Sequence, residues 1–510
     1  MTQKYLLALD VGTSACKITL FDFQGKVKGN YLGEYQTYYP ADNHVEQNPE
    51  DWWKVICQGI ADIKDQTGIN PKEIAAIGVD GTSWACIPID KENKPLRPAM
   101  LWLDRRAGIQ AEWMKKTVGE ERLINTNGNP VDPAYITPKI LWIKENEPDI
   151  YNTTAKFLQS NAYIVLKLTG NHSQDYSQGY GLHFFDIKNG KWDQTIANQL
   201  GISLDLMAPI YHCHDIVGTV TDKAAHQTGL IEGIPVVAGG LDAACCTLGA
   251  GVIEPGQTQE QGGQAGGMSI QLDQPLIHPK LILGYHAIPG QWLLQGGTVG
   301  GGGTLRWFRD ELGNYEVQQG EEEGLSSYEI MSREAGEVSA GSNGLIFLPY
   351  MAGERSPIWN TNARGVLFGL SYNKNRAQII RSIMEGVAYS LLHNLKTAEE
   401  VEAYVSELRS VGGSANSRVW TQLKADITGK EILVPYSDHA TTLGAAILAG
   451  VGVGVYNDFA EAVDKTVKVQ RKHQPNQVKH KKYQEYFDLY LELYDKLKDS
   501  YEKLNQIVQK

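Results

Sequence analysis

The sequence predicts an α/β chain with mixed sheets, divided into two domains. A length of 510 residues exceeds what one hydrophobic core usually supports. Strand-like runs (Ile74–Val79, Ile87–Ile89, Val236–Ala238, Leu345–Pro349) alternate with longer helical patterns (Pro49–Asp65, Arg376–Leu395, Val419–Ile427). Gly and Pro cluster at Gly249–Thr258, and a strand-turn-strand pattern near the amino terminus recurs just after that break. The boundary is therefore placed near residue 253, giving domains 1–253 and 254–510.

The first element is the stretch LLALDVGTSACKITLFD, residues 6–22. An apolar run leads into a turn of Asp10, Gly12, Thr13 and Ser14, and an alternating run carries the chain away. Such a turn offers backbone N–H groups and two hydroxyls to an anion, and phosphate oxygens suit it. Asp10 suits a hydrated metal ion, because a bare carboxylate repels a phosphate. The helix at 49–65 follows, with Asn48 as cap, Pro49 in the first turn, and Glu50 and Asp51 favourable to the dipole.

Next comes IPVVAGGLDAACCTLGAG, residues 234–251, an apolar strand, two glycines, Asp242 and a small-residue helix. An aspartate at a strand-to-helix turn is exposed at the carboxyl end of the sheet, where α/β proteins place ligands. Asp242 reads as a general base or as a helix-capping aspartate, roles that do not exclude each other, and its position between the two hairpins favours the base. Past the break, EQGGQAGGMSIQLD (260–273) aligns with the first hairpin so that Gly263 matches Gly12, Gln264 matches Thr13 and Asp273 matches Asp22. A duplicated nucleotide clamp, its two hairpins facing each other across a cleft, would require this second strand-turn-strand.

Two glycine-rich turns complete the set. GGTVGGGGTLRW (296–307) has too many glycines for packing alone and is read as an anion-approaching loop, with Gly300 and Gly301 at its centre. VGGSANSRVWTQLKAD (411–426) places Gly412 and Gly413 at a strand end before a helix that opens with Ser414 and Ser417, a setting for a nucleoside. Neither a P-loop nor a Rossmann fingerprint is present. The run from Tyr483 to Leu504 spaces its apolar residues as a docked amphipathic helix.

Bulk properties exclude several classes. A formal charge of −12 and a pI near 5.5 argue against nucleic acid. No apolar run approaches the roughly 20 residues of a membrane span, and the start is too soon polar for a signal peptide, so a cytoplasmic protein is expected. The six cysteines form no C-x-x-C pair and are expected as reduced thiols. His212-Cys213-His214 is read as a plain strand in preference to a metal site, since no third ligand stands out.

A family resemblance rests on GVLFGLSYNKNRAQIIRSIMEG (365–386), VEQNPEDWW (45–53), PKILW (138–142), GERSPIW (353–359) and LGAAILAG (443–450). Over nearly its whole length the chain resembles the FGGY carbohydrate kinases. The amino-terminal signature is partial, with Ile136 where a small polar residue or proline is usual. The resemblance implies two actin-like (RNase H-like) domains closing on a sugar and Mg-ATP. It implies Asp242 as the base, Asp10 and Asp242 at magnesium, partly through water, and Gly12, Thr13, Ser14 and Lys17 at the phosphates. Gly263 and Gln264 would share the phosphate contact, and the Gly412–Gly413 turn would take adenosine. Many relatives carry Gly-Thr-Ser in the second hairpin; Gly263-Gln264-Ala265 here loses a hydroxyl.

The substrate wall is expected from residues 77–90 and 101–107. Ser83 and Trp84 stand where xylulokinases and glycerol kinases place other residues, while Trp102, Asp104 and Arg105 keep a family-like pattern. Trp84 would stack on a sugar or pack in the core; Asp104 and Arg105 would hydrogen-bond hydroxyls. The expected activity is ATP-dependent phosphorylation of the terminal hydroxyl of a ketopentose or related open-chain sugar, xylulose first. Ribulose, gluconate, glycerol or another polyol, or a sugar sensor with weak turnover, stand as alternatives. A chaperone ATPase would need a peptide-binding module, and the roughly 60 residues after the last nucleotide motif are too few for one. A homodimer is the partner expectation beside the small-molecule sugar.

Overall fold

The computed structural model describes residues 3–436 and 438–508. The chain divides into two compact units. The first comprises residues 1–253, 271–293 and 439–468; the second comprises 254–270, 294–438 and 469–510. The units are thus not two continuous halves, because two segments from beyond residue 253 return to the first.

In the first unit, strands β1 (Tyr5–Val11), β2 (Ala15–Asp22) and β3 (Val27–Glu34) form an antiparallel meander. Helix α1 (Pro49–Thr67) follows, and then β4 (Ile74–Gly81), which lies parallel to β1. The caps of α1 are those its sequence calls for. Asn48 accepts the Glu50 N–H at 3.1 Å, and Gly68, at φ 65°, closes the helix on Lys64. Its inner face buries Trp52, Ile56, Ile60 and Ile63, and the helix packs on β2 and β3.

Strand β5 (Ile216–Thr219) pairs with β6 (Pro235–Val237), giving the order β5-β6-β4-β1-β2-β3, with the short β7 (Gly240–Leu241) beside β4. Helix α2 (Asp242–Gly249) starts directly from β7. Residues 440–452 form a helix that packs on α2, β1 and β4. His212 and His214 fall in a turn after a two-residue strand, not on one face of a strand, and their rings lie 6.1 Å apart.

The second unit repeats the scheme. Strands β8 (Gln257–Gly262), β9 (Gly266–Leu272) and β10 (Trp292–Thr298), then β11 (Glu407–Val411), β12 (Glu431–Pro435) and β13 (Val469–His473), run in the order β10-β9-β8-β11-β12-β13. The antiparallel hairpin β8/β9 has its parallel neighbour in β11, as β1/β2 has in β4. The core of this unit gathers Ile380, Met384 and Tyr389 of α3 (Arg376–Glu399), Trp420 of α4 (Arg418–Thr428), and Tyr483 and Tyr490 of α5 (Gln477–Val508). The carboxy-terminal amphipathic pattern is thereby a docked helix.

Candidate active site

Three aspartates meet at the carboxyl ends of adjacent strands in the first unit. Asp10 on β1 lies in register with Asp80 on β4, and Asp80 with Gly240 on β7, two residues before Asp242. Asp80 is fully buried. Burial and the charges of Asp10 and Asp242 hold its carboxyl well above the usual carboxylate range. Asp10 is also pushed up, by burial, while Asp80 and Lys17, its cross-strand partner, oppose the shift. Asp242 is half-buried, and its Oδ1 accepts the Ala243 N–H at 2.6 Å. Burial and the Asp10 charge raise it to about 7, where a carboxylate is poised to take and release a proton. Asp80 was missed in the sequence; an aspartate closing the apolar run IGVDG was its only signal.

The turn Gly12-Thr13-Ser14 is held from behind. Tyr35 donates its hydroxyl to the Gly12 carbonyl, Gln47 donates to the Thr13 carbonyl at 2.7 Å, and the Tyr35 N–H reaches the Ser14 carbonyl at 3.4 Å. The three carbonyls that would repel an anion are thereby engaged. Among the described residues, the N–H groups of Thr13 and Ser14 meet no acceptor in the protein. The Thr13 hydroxyl accepts the Trp102 indole N–H at 3.1 Å and lies 3.4 Å from that of Thr82.

The expected substrate wall is rearranged in one respect. Asp104 is fully buried, and both its oxygens accept bonds from the Val45 N–H, the Arg106 N–H and the Arg106 guanidinium. It braces the loop, and the hydroxyl-binding role expected of it is corrected on that ground. Arg105 is exposed and pairs with Asp132 at 2.7 Å. Trp84 stacks on Tyr135 with ring centroids 4.1 Å apart and is only 6% exposed, which decides for core packing on that face. Ser83 and Trp102 remain half-buried.

In the second unit a cavity of about 780 Å³ opens beside the second hairpin. That volume suits a nucleoside. Its walls include Gly263, Gln264, Gly302, Gly413, Asn416 and Tyr328. Gly412 takes φ 84°, and a Cβ on Gly413 would meet open space, so the backbone there forms a bare surface. The Ser414 hydroxyl bonds the buried Lys424 at 2.8 Å, and Lys424 pairs with Glu260 at 2.5 Å. Ser417 caps α4 and meets the Ser332 hydroxyl at 2.9 Å. Both serines thus fix the turn while lining the cavity.

The glycine loop has a packing explanation that its sequence did not disclose. A Cβ on Gly300 would stand 2.3 Å from the Pro349 carbonyl oxygen, one on Gly301 2.3 Å from Ala265 backbone, and one on Gly302 2.7 Å from the Gly263 oxygen. The loop lies backbone to backbone against the second hairpin. The cavity wall at 326–332, a helix start with the capping box Ser326 and Glu329, was also missed. Its capping signal marks a helix but not what the helix faces.

Family models match both parts of the chain. The amino-terminal domain of the FGGY family of carbohydrate kinases covers residues 5–249, and its carboxy-terminal domain covers residues 267–453. The chain belongs to the FGGY family of carbohydrate kinases. As an FGGY kinase it is a phosphotransferase, and FGGY sugar kinases use ATP, generally with Mg²⁺. It is 31% identical over 468 residues to the xylulose kinase of Bacillus subtilis strain 168, covering 91% of this chain and 92% of that one. To the gluconokinase of the same organism it is 31% identical over 474 residues, covering 92% of each. The ligand-bound xylulose kinase structure from Lactobacillus acidophilus aligns with TM-score 0.89 at 25% identity, over 98% of this chain and 100% of that one. The architecture is the actin-like ATPase fold of FGGY kinases. No helix among the described residues is long and apolar enough to cross a membrane.

Proposed function

We propose that this FGGY kinase transfers the γ-phosphoryl group of ATP to the terminal hydroxyl of a ketopentose, xylulose first. The observation that carries the reading is Asp242: half-buried, beside Asp10, at the carboxyl end of the sheet, with its acidity moved to about 7. Asp242 accepts the proton of the sugar hydroxyl as that oxygen attacks the γ-phosphorus in line. The N–H groups of Thr13 and Ser14, with Lys17, hold the phosphoryl oxygens, and the 780 Å³ cavity holds adenosine, with Gly263 and Gln264 at its phosphate end. Asp10 and Asp242 offer two carboxylates rather than a cage, the donor set Mg²⁺ takes when phosphates and water complete its shell. They would hold it, and bound there it supplies charge neutralisation at the phosphates.

The gluconokinase relative, as similar as the xylulose kinase, supports gluconate as the second reading. An ADP-release assay across ketoses, polyols and aldonates tests both, with Asp242→Asn as control. Turnover on xylulose that disappears in the Asn variant is the expected result. Binding without turnover on every sugar would convert the protein into a sensor, and persistence of turnover in Asp242→Asn within a few-fold would require another base.

A further inference from the structure

The helix Ile136–Asn146 carries a lysine that is fully buried. Lys139 donates to two backbone carbonyls, that of Trp84 at 2.9 Å and that of Leu101 at 2.6 Å. Among the described residues it has no carboxylate within ion-pair distance. Burial lowers its ammonium to about 7, with Cys86, Asp104 and Asp132 opposing and Arg106 assisting. The neutral amine keeps two N–H donors, one for each carbonyl.

The two carbonyls belong to different segments, 82–86 and 99–103, which overlap the two stretches expected to wall the sugar, 77–90 and 101–107. Trp84 holds φ 56°, a conformation that a bulky side chain keeps only when its surroundings over-determine it. Two features do so here: the stack on Tyr135 and the bond from Lys139. The second carbonyl precedes Trp102, whose indole N–H sets the Thr13 hydroxyl in the phosphate turn. An amine taken out of water without a counter-ion is costly, and an apolar residue of the same length would avoid that cost but leave the Trp84 and Leu101 carbonyls without this donor. The backbones of Cys86 and Met100 already exchange two hydrogen bonds between these segments, at 2.9 and 3.2 Å, and what the lysine adds is a tie between the carbonyls that flank that bridge, those of Trp84 and Leu101.

We propose that Lys139 is a positioning residue for the acceptor: it clamps the 82–86 and 99–103 segments at the separation the sugar requires. This rests on the sugar-kinase reading above. The test is Lys139→Met in the full chain, with fluorotryptophan in place of the 11 tryptophans. Fluorine NMR of the unliganded protein, with signals assigned through Trp84→Phe and Trp102→Phe, should show both resonances displaced or broadened by the Met change. The sugar KM should rise at least ~10-fold while the ATP KM stays within about 2-fold and kcat within about 3-fold. Unmoved Trp84 and Trp102 signals overturn the clamp. An equal rise in both KM values overturns its specificity for the acceptor side. Should the wild type phosphorylate no sugar, the functional reading fails, and the NMR comparison still decides the clamp. Lys139→Gln, which keeps a donor at that depth, covers a Met variant that does not fold; it should displace the same two signals less, and no displacement counts against the proposal.

Discussion

Gly444 lies so close to α2 that a Cβ in its place would stand 1.8 Å from the carbonyl oxygen of Cys245, one turn after Asp242. Reciprocally, a Cβ on Gly249 would stand 1.8 Å from the oxygen of Ala440. Two backbones thus meet without side chains between them, and the position of Asp242 depends on that approach. Gly444→Ala must push the helices apart, at a cost of at least ~3 kcal/mol given a backbone obstacle that cannot rotate away. Urea unfolding measures the loss, and kinase activity should fall further than the folded fraction if Asp242, which moves with its helix, is the base proposed above.

Glu354 links pH to stability. It is buried, and burial raises it to about 7, although the N–H groups of Val299 and Arg355 on Oε1 oppose the shift. A carboxyl whose folded value lies above its unfolded 4.5 favours the folded state at low pH. That contribution is complete below 4.5 and lost as pH rises through about 7. Glu354→Gln keeps the acceptor oxygen and removes the charge. Its melting temperature should exceed that of wild type at pH 8, by an amount equivalent to ~2–3 kcal/mol at most, and the gap should close towards pH 5. A constant gap across that range would count against the assignment.

Glu385 is the centre of a buried network in the second unit. It accepts the Arg381 guanidinium at 2.8 Å, the Tyr483 hydroxyl at 2.8 Å, the Ser342 hydroxyl at 2.8 Å and the Gly341 N–H at 3.0 Å. Glu385→Ala leaves the Arg381 charge buried without its partner, and we expect a loss of ~3–5 kcal/mol in thermal unfolding. The milder Tyr483→Phe should cost ~1–2 kcal/mol.

Gln264 lines the 780 Å³ cavity, and its amide would obstruct a Cβ on Gly303 at 2.4 Å. Gln264→Ala should weaken ATP binding about 3- to 10-fold in calorimetry, the loss of one hydrogen bond. Thr13→Ala should weaken it more, because the Thr13 hydroxyl is fixed by Trp102 and Thr82 at the phosphate turn. Equal losses would remove the asymmetry between the hairpins.

Legibility followed locality. The hairpin at 6–22 and the caps of α1 are written in neighbouring residues, and the backbone chemistry of turns suffices to read them; the return of 271–293 and 439–468 to the first unit is not. The 365–386 signature was legible as a family mark but not as a cause. Gly369 at φ 91°, Gly386 against the Phe347 carbonyl and Glu385 in its network show that it encodes packing. Asp80 and Asp104 were misjudged or missed for one reason. Whether a carboxylate faces a ligand or the protein depends on strands and loops distant in sequence: Asp10 and Gly240 for Asp80, Val45 for Asp104. The glycines of 296–307, read as a loop whose N–H groups approach an anion, also have a packing cause that could not be read, because Pro349, Ala265 and Gly263, which crowd Gly300 to Gly302, are distant in sequence.

The return of residues 439–468 to the first unit has a consequence for how the chain is made. The helix 440–452 packs on β1 and β4, and a Cβ on Gly78 would stand 2.0 Å from its Ala445 carbonyl. As the ribosome delivers the chain, the strands bearing Asp10 and Asp80 emerge early, but the helix that covers them comes only after the second unit's segments 254–270 and 294–438. The part that begins synthesis first cannot be completed until most of the other has been made, and its apolar face waits exposed in the interval. A fragment ending at residue 253 carries all three aspartates but lacks this covering helix, so it is expected to aggregate rather than fold.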